Sequence, residues 1–120
     1  MQRRQFVILE HDHPFLHWDL LIEDGDCLAS WRLLDLPRVG MRVRASLLPV
    51  HRREYLTQEG PVSGNRGSVR RLHAGLLQFD GIWPDVTDWP GLSLRIVECP
   101  LASRCRLISN DHDLLYWEFS

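Results

Sequence analysis

The residues with the clearest chemical potential lie in the segment 10–19, EHDHPFLHWD, which holds three histidines and three acidic residues. If its second half is a strand, His17 and Asp19 project from one face, about 6.6 Å apart. His11 lies six residues before His17, so a hairpin could bring the two imidazoles together. Two imidazoles and one carboxylate leave positions open on a divalent ion, which is typical of a working Mn, Fe or Zn site. The alternative is a histidine and an aspartate that are hydrogen-bonded at a sheet edge.

A second cluster follows in residues 51–60, HRREYLTQEG. His51 and Tyr55 have the same parity if the chain is extended there, so both could face one pocket. A histidine beside a tyrosine can serve as proton donor and orienter next to a leaving oxygen. A solvated strand edge without a chemical role is the alternative interpretation.

Positive charge is unevenly distributed in a chain whose net charge is −2. All fourteen basic residues are arginines, and eight of them lie between residues 38 and 71, against two acidic residues in that stretch. Arginine makes bidentate contacts that suit phosphate oxygens. The stretch is therefore either a wall that holds phosphates or an ordinary solvated face, and composition does not choose between them.

Length and composition predict one domain over residues 1–120, with an ordinary 44% apolar and 25% charged content. No apolar run approaches the roughly 18 residues of a membrane span, so no membrane partner is expected. The apolar run near the N-terminus is too short for a signal peptide. The three cysteines (Cys27, Cys99 and Cys105) have no zinc-like spacing. We therefore expect a cytoplasmic protein whose cysteines are structural or incidental.

Strand signals dominate the chain, and no segment sustains a helical period. Asp24-Gly25 predicts a two-residue hairpin turn, and loops are expected at residues 36–40, 60–67 and 81–91. Short strands between frequent turns predict an all-β sandwich or closed barrel. The expected strands are Phe6–Glu10, His17–Glu23, Cys27–Leu34, Val43–Val50 (broken near Pro49), Ser68–Leu72, Leu76–Phe79, Leu92–Glu98, Arg104–Ile108 and Leu114–Phe119.

Taken in order, the two clusters resemble the 3′-phosphoesterase (N-terminal) domain of bacterial ATP-dependent DNA ligase D. That family carries H-D-x-x-x-L-H-x-D-hydrophobic-R-hydrophobic-E and then a strand with a tryptophan. A histidine with a tyrosine four residues on, E-G and a glycine-rich loop follow. The resemblance runs from Phe6 to about Leu72. The matching residues are His11-Asp12, Leu16-His17-Trp18-Asp19, Glu23, Ser30-Trp31, His51 with Tyr55, Glu59-Gly60 and Gly64-Asn65-Arg66-Gly67-Ser68-Val69.

The resemblance implies a small, closed or nearly closed β-barrel whose crevice carries the metal site. His11, His17 and Asp19 would bind Mn²⁺, with Zn²⁺ or Co²⁺ as alternatives, and His51 and Tyr55 would act at the scissile phosphate. The family removes 3′-phosphates and 3′-terminal ribonucleotides from DNA ends, in DNA repair by non-homologous end joining. The implied partners are DNA or RNA-tailed DNA 3′ ends. A stand-alone version of the domain would meet its ligase or polymerase in trans.

One position departs from the family pattern. Leu21 stands where the family has a phosphate-binding arginine, and it should share the crevice face with His17 and Asp19. Arg44 corresponds to a second family arginine if one residue is deleted before His51. The other candidates for phosphate contact are Arg32, Arg52 and Arg66. The alternative function is a catalytically weak module that binds nucleic-acid ends and keeps the metal site.

A third interpretation treats His17 and Asp19 as two members of a non-haem iron oxygenase triad. The candidates for its third ligand are His51, His73 and His112. This interpretation is disfavoured because it leaves His11 and Tyr55 without a role. Outside the two clusters, we expect His13, His73 and His112 to be exposed or structural.

Overall fold

Antiparallel strands account for most of residues 2–120, the part of the chain that the structure, a computed structural model, describes. They are β1 (Gln2–His11), β2 (His17–Asp24), β3 (Cys27–Leu33), β4 (Arg42–Arg52), β5 (Gly60–Pro61), β6 (Ser68–Phe79), β7 (Ser93–Val97), β8 (Arg104–Ser109) and β9 (Leu115–Phe119). Within residues 2–120 the helical segments are two short 3-10 turns, Arg53–Leu56 and Val86–Asp88. The predicted all-β class is confirmed.

The sheet closes on itself. Its strand order is β1-β2-β3-β4-β9-β8-β7-β6, and β6 pairs back onto β1 from Gln2↔Phe79 to His11↔Val69. Eight strands thus form a closed antiparallel barrel, as the resemblance implied. The two-residue β5 pairs with the start of β6 outside this ring. Closure leaves each of the eight strands with a hydrogen-bonded neighbour on both sides for at least part of its length.

The hairpin that joins β2 to β3 begins one residue later than the sequence suggested. Asp24 and Cys27 are the last paired residues, and the loop between them starts at Gly25 with φ +63°. Two-residue hairpin loops favour a positive φ at this position because their twist then matches that of the strands. The Asp24-Gly25 signal therefore located the turn to within one residue.

Several strand boundaries differ from the prediction: β1 begins at Gln2 rather than Phe6, and the short β5 lies inside the predicted loop 60–67. β4 continues through Pro49, where a break was expected, because β9 pairs only as far as Ala45 and β3 is bulged between Leu28 and Ser30. A proline is tolerated at such a bulged edge since no ladder hydrogen bond is lost there. The two strands predicted within residues 68–79 form one strand, β6, which follows the length of β1.

The barrel interior is filled by large aromatic side chains. Trp31, Trp89 and Trp117 are each at most 1% exposed. The Trp31 ring lies 5.5 Å from that of Trp89 and meets the Trp117 ring edge-on at 5.2 Å. Phe6 and Ile8 of β1 point into the same cluster. We call this set of side chains the inner core.

The opposite face of β1, β2 and β3 is buried as well. Side chains of alternate parity form a second apolar group, the outer cluster, which consists of Val7, Leu9, Leu21, Leu28, Leu56, Val62 and Val69. Leu56 and Val62 come from the segment 53–67, which folds over the outside of the barrel wall. Candidate site residues of the same parity as Leu9 and Leu21 therefore lie on the outer face, at the edge of this segment. No helix within residues 2–120 is long and apolar enough to span a membrane.

Candidate metal centre

Three potential metal ligands converge at the ends of β1 and β2. His11 and His17 are register partners, and their ring centroids lie 5.0 Å apart. Asp19 follows two residues later on the same face, and one candidate ligand atom from each residue lies within 4.8 Å of the others. The predicted hairpin that brings His11 beside His17 is confirmed.

The atoms of His17 and Asp19 that face each other have no hydrogen-bond partner. His17 donates its Nδ1–H to the carbonyl oxygen of Phe15 at 2.8 Å, which leaves the Nε2 lone pair free. This Nε2 lies 3.2 Å from Asp19 Oδ1, and both atoms are buried and unsatisfied. Buried polar atoms are almost always paired. A divalent cation would satisfy both atoms, so the donor set fits a metal ion better than a simple histidine–aspartate hydrogen bond.

The His11 imidazole is oriented by a carbonyl group that is distant in the sequence. His11 donates its Nε2–H to the carbonyl oxygen of Arg66 at 2.8 Å, and its Nδ1 lies 3.8 Å from Asp19 Oδ2. Metal-binding histidines typically donate their other N–H to a carbonyl or carboxylate, which fixes the ring and its tautomer. Both candidate histidines follow this pattern.

The Arg66 carbonyl is held in position because the backbone at Gly67 packs closely against Asp12. Gly67 has φ +71°, and a Cβ there would lie 2.1 Å from Asp12 Oδ1. The same Asp12 oxygen accepts the Ser68 backbone N–H at 2.8 Å, and this bond lowers the pKa of Asp12. Asp12 therefore anchors the start of β6, and only a glycine at position 67 permits the approach.

His51 lies next to the three candidate ligands and is oriented by Ser30. The Ser30 hydroxyl donates to the Leu28 carbonyl at 2.9 Å, so it accepts the Nδ1–H of His51 at 2.8 Å. Burial lowers the pKa of His51, although the nearby Asp19 carboxylate opposes this shift. A neutral His51 with its proton on Nδ1 has a free lone pair on Nε2.

Tyr55 reaches the same site by a different backbone path from the one predicted. It lies in the 3-10 turn Arg53–Leu56, so the extended conformation assumed for residues 51–55 is wrong. Its ring nevertheless packs against His51 at a centroid distance of 5.4 Å, with the two planes nearly perpendicular. Both side chains line a cavity of about 70 Å³, whose other polar lining is His11, Asp19 and Arg66.

The structure corrects the expectation that Leu21 faces an open crevice. Leu21 shares the face of Asp19, as predicted, but it is fully buried in the outer cluster. The segment 53–67 covers it through Leu56 and Val62. Sequence parity gives the face of a strand residue but not whether another segment covers that face.

Two of the candidate arginines lie close to the ligands. Arg66 lines the cavity, although its side chain turns back to donate to the Ser63 carbonyl at 2.7 Å. Arg32 lies directly opposite Asp19 in the β2–β3 register. Its guanidinium carbon lies 5.2 Å from the centre of the Phe15 ring, and its buried Nε has no hydrogen-bond partner.

The other two candidate arginines lie farther away. Arg44 is exposed on β4, opposite Tyr116 of β9. Arg52 is exposed at the end of β4 and forms an ion pair with Glu54 at 2.8 Å. Neither residue lines the cavity beside His51.

The remaining histidines and cysteines do not join the cluster. Among residues 2–120, the one group of at least three His, Cys, Asp or Glu side chains with ligand spacing is the His11 group. His13 and His112 are exposed, and His73 is half-buried on β6. No disulfide joins Cys27, Cys99 or Cys105. The iron-triad interpretation therefore finds no support from His73 or His112.

A larger depression of about 330 Å³ lies on the β4–β9–β8 side of the barrel. Arg42 and Arg106 line it, and both pair with Glu118, at 3.0 and 3.2 Å. These contacts lower the pKa of Glu118. Since each guanidinium is already paired, the depression offers less to a ligand than the smaller cavity beside His51.

Sequence reasoning assigned no role to Ser30, Asp12 or Phe15, each of which orients a candidate site residue. Ser30 could have been suspected, because it is a polar residue within a strand otherwise buried on both faces. The contacts of Asp12 with Ser68 and Gly67 join segments more than fifty residues apart, and no local sequence pattern predicts them. No known family model matches the chain, and no curated protein matches it either.

Proposed function

We propose that this chain is a metal-dependent phosphoesterase that processes DNA 3′ ends. It would remove a 3′-phosphate or a 3′-terminal ribonucleotide, as its resemblance to the 3′-phosphoesterase domain of ligase D implies. The observation that supports this best is the convergence of His11, His17 and Asp19 beside His51. A metal site with an adjacent proton-transfer group is the minimal equipment for hydrolysing a phosphoester.

His11 Nδ1, His17 Nε2 and the Asp19 carboxylate would hold the ion, with Mn²⁺ as the first choice and Zn²⁺ or Co²⁺ as alternatives. When bound, a divalent ion supplies positive charge that polarises a phosphate oxygen and orients water. Two neutral imidazoles and one carboxylate leave the loaded site with a net positive charge. That charge suits an anionic substrate.

His51 would transfer a proton during the reaction. Its Nδ1–H is committed to the Ser30 hydroxyl, so Nε2 is the atom that exchanges a proton with water or with the leaving oxygen. Tyr55 packs edge-on against the imidazole and limits its rotation. The phenol hydroxyl can also donate a hydrogen bond.

Arginines would hold the phosphate and the adjoining strand. Arg66 lines the cavity, and Arg32 lies opposite Asp19, so these two would contact the reacting phosphate. Arg44 and Arg52 are exposed on β4 and would meet phosphates farther from the end. A planar guanidinium makes paired hydrogen bonds to phosphate oxygens, and such contacts weaken as salt increases.

A second function, the binding of nucleic-acid ends with little or no cleavage, is favoured by Leu21. The family has a phosphate-binding arginine at this position, whereas the present side chain is apolar and buried. A module of this kind would keep the metal ion to capture a terminal phosphate. His51 and Tyr55 would then have no chemical task.

The test is to incubate the protein with a primer–template ending in a 3′-phosphate and with one ending in a 3′-ribonucleotide, with and without Mn²⁺. Mn²⁺-dependent release of phosphate or ribonucleotide is expected. His51→Ala should slow it by about 10²- to 10⁴-fold while metal and DNA affinity persist. His73→Ala, a half-buried histidine away from the site, is the control. Tight Mn²⁺-dependent binding of the ends without any product would replace the enzyme with the end-binding module.

A further inference from the structure

The cavity beside His51 is too small for a nucleotide. Its volume is about 70 Å³, whereas pockets that enclose small organic ligands usually have at least about 300 Å³. It can take little more than a phosphate-sized group. The sugar and base attached to a terminal phosphate would therefore lie on the surface next to the cavity.

An exposed aromatic ring lies next to His17, one of the three candidate metal ligands. Phe15, in the loop between β1 and β2, is 52% exposed, and among residues 2–120 it is the one exposed phenylalanine, tyrosine or tryptophan. Its ring centroid lies 5.5 Å from that of His17, and its carbonyl oxygen accepts the His17 Nδ1–H. Single exposed apolar side chains are ordinary on protein surfaces, so what distinguishes this ring is its position beside a candidate metal ligand.

The side chain of Arg32 lies over the ring of Phe15. The guanidinium carbon of Arg32 is 5.2 Å from the ring centre of Phe15. Among residues 2–120, no carboxylate lies within ion-pair distance of Arg32, and its buried Nε lacks a hydrogen-bond partner. The cation–π contact with Arg32 stabilises the position of the ring. The guanidinium N–H groups can still donate hydrogen bonds to an anionic group.

We propose that Phe15 and Arg32 form a nucleoside-binding subsite next to the metal centre. The terminal base stacks on the exposed face of Phe15, and Arg32 donates to the phosphate attached to that nucleoside. This inference rests on the proposed function, and it names the substrate class as ends that carry a base. Stacking on an aromatic side chain tolerates any base, because every base has a π-face. The subsite thus recognises a nucleotide without reading sequence.

The first experiment compares two oligonucleotides with a 3′-phosphate, one on an ordinary terminal nucleotide and one on a terminal abasic sugar. Phe15→Ala should raise the KM of the ordinary end by roughly 5- to 150-fold, the loss expected for one base–aromatic stack. Its kcat and its KM for the abasic end should stay close to those of the parent. Phe15→Trp should restore the KM, and Ile82→Ala, at an exposed apolar residue elsewhere (85% exposed), should change nothing.

Arg32→Ala tests the phosphate contact separately from base stacking, because the loss of a phosphate contact should weaken the binding of both ends alike. Equal effects of Phe15→Ala on both ends, or no effect on either, would overturn the stacking role. Equal effects with weaker Mn²⁺ binding in calorimetry would show instead that Phe15 only supports His17.

A binding measurement keeps the inference independent of turnover. The oligonucleotide carries 2-aminopurine as its terminal base, and its fluorescence is followed as Mn²⁺-loaded protein is added. Stacking should quench this fluorescence with the parent and with Phe15→Trp, but not with Phe15→Ala. If the parent cleaves no end yet quenches the base, the proposed catalysis fails and the subsite stands. If Phe15→Ala quenches as the parent does, the subsite is refuted whether or not cleavage occurs.

Discussion

Backbone carbonyls select which nitrogen of each candidate histidine is free. The Phe15 carbonyl takes the Nδ1–H of His17, while the Arg66 carbonyl takes the Nε2–H of His11. The spacing of His11, His17 and Asp19 predicted that these side chains meet. It could not predict the free atoms, since Arg66 lies 55 residues from His11 in the chain.

Leu21→Arg tests whether this position is an unfilled phosphate clamp or part of the outer cluster. Leu21 is fully buried, so a guanidinium there would lose its hydration without gaining a partner. We expect the free energy of unfolding, measured by urea denaturation, to fall by about 3–5 kcal/mol. Leu47→Arg, at a leucine 54% exposed on β4, should change it by less than about 0.5 kcal/mol. If the Leu21→Arg protein is as stable as the parent and faster on a 3′-phosphate, position 21 is an unfilled phosphate clamp after all.

His73 should make stability depend on pH, with a sign set by its burial. Burial lowers the pKa of His73 from its ordinary value of 6.5, so the unfolded chain binds the proton more tightly than the folded one. The contribution of His73 is complete above about pH 6.5 and is lost as the pH falls toward the lowered pKa.

Urea unfolding near pH 7.5 and near pH 5.5 measures this effect. His73→Gln should lose less stability on acidification than the parent. His112→Gln, at an exposed histidine, should behave as the parent does. Equal losses in His73→Gln and in the parent would rule out the assignment.

At the level of elements, the strands were largely predictable and the segment that covers them was not. The apolar runs in β1 and β2 (FVIL and LLI) and the Asp24-Gly25 signal predicted the hairpins that bring the site residues together. These runs are continuous because both faces of the strands are buried. The second burial comes from the segment 53–67, whose packing on the outer face is a long-range contact. Its Gly-rich sequence predicted only a loop.

Gly67→Ala tests the link between this segment and the candidate metal centre. An added Cβ would overlap Asp12 Oδ1 and lie 2.8 Å from His13 Cβ, so either residues 12–13 or the backbone at residue 67 must shift. We expect the shift at residue 67, which carries the adjoining Arg66 carbonyl away from His11. Loss of such support typically lowers metal affinity by about 10- to 100-fold, and Mn²⁺ titration would measure it. Gly64→Ala is the matched control, because φ is +73° there but the nearest atom is a side-chain nitrogen at 3.5 Å. Equal affinities in the two variants would contradict the link.

Over the whole molecule, the arginine-rich stretch does not form a continuous positive wall. Four of its eight arginines are paired with glutamates, namely Arg42 with Glu118, Arg52 with Glu54, Arg53 with Glu23 and Arg70 with Glu10. Sequence counts could not reveal this, because three of these glutamates lie outside the stretch. The arginines of the stretch outside these ion pairs are Arg38, Arg44, Arg66 and Arg71. Of these, Arg66 lines the cavity beside the candidate metal centre, and Arg32, outside the stretch, lies opposite Asp19.

The candidate metal centre and the inner core lie on opposite faces of the same strands. The tryptophans of the inner core fill the barrel, whereas His11, His17 and Asp19 lie on the outer face of the same strands. The three ligands therefore do not hold the barrel together, and losing one of them should leave the inner core intact.

Calorimetric titration with Mn²⁺ tests the central claim most directly, with near-ultraviolet circular dichroism to report on the packed tryptophans. The parent and His112→Ala should each bind one ion. His17→Ala should bind none while its dichroism stays that of the parent, because an open site of this kind is not needed for folding. If His17→Ala binds Mn²⁺ as tightly as the parent, the assignment of His11, His17 and Asp19 as the metal centre is contradicted.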